Sequence, residues 1–156
     1  MIDTPAITRA PEQLVAAIHL VIPRSEIQSV MGPALGEIHA AIRAQGLEPT
    51  GPWLTHHLRM SPAEFDFDVC VPVAAAVAPT GRVVSITLPA VRVARTIHRG
   101  AYEGLAAAWG EFGGWITANG HVPGPDLYER YLTGPDTSPD PAQWRTELSR
   151  PLSPGA

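Results

Sequence analysis

A helix-ending glycine followed shortly by Gly-Pro occurs twice in this chain, as Gly46 with Gly51-Pro52 and as Gly120 with Gly124-Pro125. Each time a strand-closing proline follows, in Val71-Pro72 and in Arg150-Pro151. The hydrophobic pattern between these marks repeats as well. Leu14 to Ile22 is apolar except for His19 and reads as a buried strand ending at Pro23. Gly32-Pro33 opens a helical stripe of Leu35, Ile38 and Ile42 that Gly46 ends. Trp53 to Met60 reads as a strand broken by Ser61-Pro62, and Phe65 to Val71 as another with alternating apolar residues.

The second half follows the same order. Arg82 to Leu88 and Val91 to His98 read as strands. Gly100 opens a helix with Leu105, Trp109, Phe112 and Ile116 at helical spacing. Asp126 to Thr133 and Gln143 to Leu148 read as closing strands. The expectation is an α+β fold in one domain over residues 1–156, with repeat halves at about 14–73 and 82–152. Two strand-helix-strand-strand units related by a pseudo-twofold would form an antiparallel sheet. Both main helices would lie on one face and a ligand cleft on the other.

Composition narrows the function. Apolar residues make up 45% of the 156, which suits a folded core rather than a disordered chain. No apolar run reaches the roughly 18 residues of a membrane span, and no secretory leader is legible. Cys70 is the sole cysteine, so no intrachain disulfide forms, as suits a reducing cytoplasm. The net charge is −4, and the eleven basic residues are all arginine, scattered from Arg9 to Arg150. Direct nucleic-acid binding calls for a basic cluster and is not expected. Exposed sheet edges would permit a homodimer.

Leu127-Tyr128-Glu129-Arg130-Tyr131-Leu132 holds the principal candidate. On a strand Leu127, Glu129 and Tyr131 share a face. A carboxylate among apolar and aromatic neighbours needs a partner. Spacing leaves two readings open: an edge-strand salt bridge, for instance with Arg59 or Arg95, or an anchor for a ligand cation. Offset from the Gly-Pro turns maps Glu129 onto His56. Trp53, Tyr102 and Trp109 are candidate aromatic walls, and Glu147 a candidate second carboxylate. His56-His57 and Asp66-Phe67-Asp68 lack metal-site spacing, so neither a metal nor a cofactor is expected. Cys70 reads as a core thiol.

Taken together these segments resemble the GyrI-like small-molecule-binding domain, also called the AraC-type effector-binding domain. The stretch from Val93 to Tyr102, with His98, Gly100 and Tyr102, is similar to the family's His-x-Gly-x-Tyr. Glu129-Arg130-Tyr131 is similar to its Glu-x-Tyr strand. Trp144 to Pro151 is similar to its closing strand, and Phe65 to Val73 to its acidic-aromatic strand. The likeness runs from about Leu14 to Leu152. It implies a duplicated fold whose cleft glutamate, here Glu129 beside Tyr131, meets lipophilic cations. Only about 13 residues precede the first strand, so the chain resembles members without a helix-turn-helix domain.

Three functions fit these residues and this resemblance. The first is binding of a lipophilic, cationic aromatic molecule for sensing or sequestration. The second is hydrolysis of a reactive electrophilic natural product, with Glu129 as acid/base and Tyr131 orienting the substrate. The third is contact with gyrase or a regulator.

Overall fold

The computed structural model describes residues 2–60, 63–135 and 137–153, with the side chains of Gln28, Arg59 and Met60 outside that description. In chain order the elements are β1 (Ala6–Ala10), β2 (Gln13–Pro23), α1 (Ile27–Ala44), β3 (Leu54–Met60), β4 (Glu64–Pro72) and β5 (Val84–Leu88). There follow β6 (Val91–Arg99), α2 (Leu105–Ala118), β7 (Leu127–Thr133) and β8 (Arg145–Pro151). Short 3₁₀ turns precede α1, α2 and β8. The chain divides into two packing units, Pro11–Ala90 and the segment from Val91 onward with that through Ala10.

In the first unit β2 lies between β4 and β5, and β3 pairs with the far side of β4, all antiparallel. Ala16, Ile18 and Leu20 stand opposite Val71, Val69 and Phe67. These six form one core with Ala34, Ile38, Ala41 and Ile42 of α1. The period-2 pattern of the strands meets the helical stripe as expected from the sequence.

The second unit has the same logic. Here β6 lies between β1 and β8, and β7 pairs with the far side of β8, all antiparallel. Ala108, Phe112 and Ile116 of α2 pack with Ala94 of β6 and Leu148 of β8. Each unit thus runs strand-helix-strand-strand with the last strand in the middle of the three, plus a fourth strand beside the first. The α+β fold and antiparallel pairing follow the expectation.

Three differences have physical causes. The strand Val84–Leu88 follows the first repeat in sequence but pairs with β2, so it completes the first unit. The second unit is completed by β1, a short segment of modest hydrophobicity that the sequence does not mark as a strand. Helix α1 begins at Ile27, with Pro33 inside it, rather than at Gly32-Pro33. Proline cannot donate a helical hydrogen bond, but Gly32 and Pro33 are exposed, where the freed carbonyl can meet water. The break expected at Ser61-Pro62 lies outside the described residues. Cys70 is fully buried, as a core thiol should be. No helix among the described residues is long and apolar enough to cross a membrane.

Candidate functional site

Register fixes which face each candidate occupies. Across β7, β8 and β6 the aligned residues are Glu129, Leu148 and Thr96, then Tyr131, Thr146 and His98. Aligned residues share a face, and Leu148 packs under α2. Glu129 and Tyr131 therefore point to the face that α2 covers. The same register aligns Arg130, Glu147 and Ile97 on the opposite face.

That assignment corrects the expected position of the anchor. Glu129 was expected on a sheet face left free by the helices; in the second unit it lies beneath the helix. The reason is parity. Glu129 and Tyr131 share the face of Leu127, the one buried residue of β7, and side chains of one parity must stay on one face.

Both carboxylate oxygens of Glu129 are held by neutral aromatic donors. Trp109 on α2 donates its indole N–H to Oε2 at 2.6 Å. Tyr131 donates its hydroxyl to Oε1 at 2.7 Å. Glu129 is half-buried, and no arginine or histidine among the described residues forms an ion pair with it. Each carboxylate oxygen can accept more than one hydrogen bond, so acceptor capacity remains.

Aromatic rings extend from this centre. Tyr102, in the 3₁₀ turn before α2, meets the Tyr131 ring edge-on at 5.8 Å. It also meets the Trp144 ring, at 5.0 Å. Trp144 is held in turn by its indole N–H to the Ser138 carbonyl at 2.9 Å. Trp109 packs on Phe112 of the α2 core, 5.8 Å between ring centres. Sequence reasoning named Tyr102, Trp109, Glu129 and Tyr131, and the structure gathers all four. It did not single out Trp144, whose signal was an aromatic residue just after the proline-rich segment.

Glu147 lies on the sheet face opposite Glu129, and Trp53 and His56 belong to the first unit. Glu147 sits between Arg95 and Arg130, each at 3.5 Å. Arg95, a possible partner for Glu129 by spacing, therefore serves Glu147 and also donates to Ser149. Trp53 packs against the α1 core of the first unit. His56 aligns with Asp68, on the face of the first sheet away from α1, whereas His57 aligns with Phe67 on the α1 face. The offset that mapped Glu129 onto His56 is thus out of phase by one residue. A one-residue slip reverses the face of a strand side chain.

A separate cavity of about 320 Å³ is lined by Ile2, Asp3, Thr4, Pro5, Glu111 and Trp115, none of them a predicted site residue. Among the described residues no three His, Cys, Asp or Glu side chains are grouped to hold a metal ion.

A half-buried carboxylate is thus fixed by two aromatic donors on the helix-covered sheet of an α+β unit. The whole pattern fits a known family: the chain belongs to the GyrI-like small molecule binding domain family, whose model matches residues 3–153. Among solved structures it is similar to the C-terminal domain of EcmrR, with TM-score 0.86 and 24% identity, covering 96% of this chain and 97% of that one. In the complex of EcmrR with DNA, the match covers 96% of this chain but 57% of the EcmrR chain, with TM-score 0.85 and 23% identity. SAV2435 bound to tetraphenylphosphonium matches with TM-score 0.69 and 13% identity, covering 97% of this chain and 94% of that one. A hydrolase from Listeria innocua matches with TM-score 0.68 and 13% identity, covering 96% and 91%. No curated protein matches the chain in sequence.

Proposed function

We propose that this chain binds a lipophilic organic cation bearing aromatic groups, for sensing or sequestration, with Glu129 as the anchor. The observation that carries this reading is the pair of neutral donors on Glu129. Trp109 and Tyr131 orient the carboxylate without cancelling its charge. A cation approaching to about 4 Å gains roughly 4 kcal/mol at an effective dielectric constant near 20, before desolvation is subtracted. The rings of Tyr102, Tyr131 and Trp109 add apolar area, and cation–π contacts contribute roughly 0.5–2 kcal/mol each. Membership of a small-molecule-binding family supports the ligand class, as does a structural relative bound to tetraphenylphosphonium.

Calorimetry with tetraphenylphosphonium and the neutral triphenylphosphine oxide tests the anchor. Glu129→Gln keeps the shape and removes the charge. It should weaken the cation by about tenfold to a hundredfold, or roughly 1.4 to 2.8 kcal/mol, and leave the neutral ligand nearly unchanged. Equal losses for both ligands would refute an electrostatic anchor.

A second reading, hydrolysis, draws on the contact between the Tyr131 hydroxyl and Glu129, because a paired acid and base is what water activation requires. Incubation with a cyclopropane-bearing electrophile decides between them. Product formation that disappears in Glu129→Gln favours the enzyme, and stoichiometric binding without product favours the binding protein.

A further inference from the structure

We infer that His98 is a positioning residue for the Glu129 site, holding the turn that presents Tyr102; the ligand consequence rests on the binding reading above. His98 is on β6, is 3% exposed, and aligns with Thr146 and through it with Tyr131. Its Nε2 lies 3.0 Å from the carbonyl oxygen of Ala101. A carbonyl only accepts, so Nε2 carries the proton and donates.

The same carbonyl accepts the Gly104 N–H at 3.1 Å, the bond that closes the 3₁₀ turn Tyr102–Gly104. His98 therefore grips the oxygen on which that turn is built. The turn is held at two further points. Gly100, at φ +120°, a conformation that suits glycine, donates its N–H to the Trp144 carbonyl at 3.1 Å. Gly104 lies against the imidazole, where a Cβ would stand 3.0 Å from Cε1 and 3.3 Å from Nε2 of His98. Between these points sits Tyr102, whose ring meets Tyr131 and Trp144.

A space-filling role does not account for the residue. Its Nδ1 is buried without a hydrogen-bond partner among the described residues, as is Oγ1 of Thr146 across the strands. Burial of such atoms is unfavourable, so an apolar side chain would fill the position better. What an apolar side chain lacks is the donor to Ala101. The chain of action runs from His98 through the Ala101 carbonyl to Tyr102, and from Tyr102 to the hydroxyl-bearing ring that holds Glu129.

Hydrogen exchange of the ligand-free protein tests the positioning directly. His98→Leu should speed exchange over residues 99–105 about tenfold and leave α1 unchanged. His98→Gln, which can place an amide N–H near the position of Nε2, should restore protection to within about twofold. Gly104→Ala, whose methyl would press on Cε1 and Nε2 of the ring, should loosen the same segment and serves if His98→Leu does not fold. Unchanged exchange in His98→Leu and Gly104→Ala, or failure of His98→Gln to restore protection, would overturn the assignment. With tetraphenylphosphonium, His98→Leu should weaken binding about tenfold, and adding it to Tyr102→Ala should bring no further loss. Additive losses would place His98 outside the path through Tyr102. If the unaltered protein does not bind this probe, the binding reading fails while the exchange result still decides the role of His98.

Discussion

Trp109 and Glu129 join helix α2 to strand β7 through one hydrogen bond, 2.6 Å from the indole nitrogen to Oε2. That contact sets both the orientation of the carboxylate and the position of the ring beside it. Trp109→Phe removes the donor and keeps an aromatic ring against Phe112. A hydrogen bond to a charged group contributes about 1.5–3 kcal/mol. Denaturant unfolding should show destabilisation of about that size, and stability equal to the parent would mean that the bond contributes nothing in solution.

Tyr131→Phe removes the other donor on Glu129. Because Trp109 and Tyr131 hold two oxygens of one carboxylate, their contributions should couple. The double substitution should differ from the sum of the singles by about 0.5–3 kcal/mol in a double-mutant cycle. Strict additivity would show that the two donors act independently.

Asp3 and Arg99 provide a pH test outside the site. Arg99 donates to both oxygens of Asp3, at 2.7 and 3.0 Å. The hydrogen bond from the guanidinium lowers the Asp3 pKa below its ordinary value, opposed by desolvation and aided by the charges of Arg99 and Arg145. A depressed folded-state value means stability that is present above the unfolded pKa, near about 3.9, and lost as pH falls through the folded one. Comparison of Asp3→Asn with the parent by urea unfolding should show a small deficit at neutral pH that vanishes in strong acid. The pair is solvent-exposed, so salt should shrink the deficit. A deficit that persisted at the acid limit would implicate the backbone around Asp3 instead.

Cys70 supplies a probe of opening. It is fully buried on β4. A thiol reagent should modify it only through structural opening, and sub-denaturing urea should accelerate labelling. Immediate stoichiometric labelling of the native protein would contradict that burial.

Much of the fold is legible in the sequence because its signals are local. The alternation of Phe65, Phe67, Val69 and Val71 survives into β4, and the stripe of Leu35, Ile38 and Ile42 into α1. Gly46 and Gly120 do end helices, at φ +72° and +78°. The segments that escape are those whose partners lie far along the chain. β1 is too short and polar to announce itself, and is a strand because β6 offers it an edge. β5 joins β2 rather than the repeat it precedes, a choice that local pattern does not encode.

The candidate site divides in the same way. Sequence alone selected Glu129, Tyr131, Tyr102 and Trp109, because a carboxylate flanked by apolar and aromatic residues on a strand must find a partner. It left undecided whether that partner was an arginine, and it grouped Glu147 with the site. Tertiary structure assigned Arg95 and Arg130 to Glu147, on the other face of the second unit's sheet, and among the described residues gave Glu129 the donors Trp109 and Tyr131. The physical reason is that periodicity specifies which side chains share a face, whereas cross-strand register and helix placement specify which face is covered and who meets whom across it.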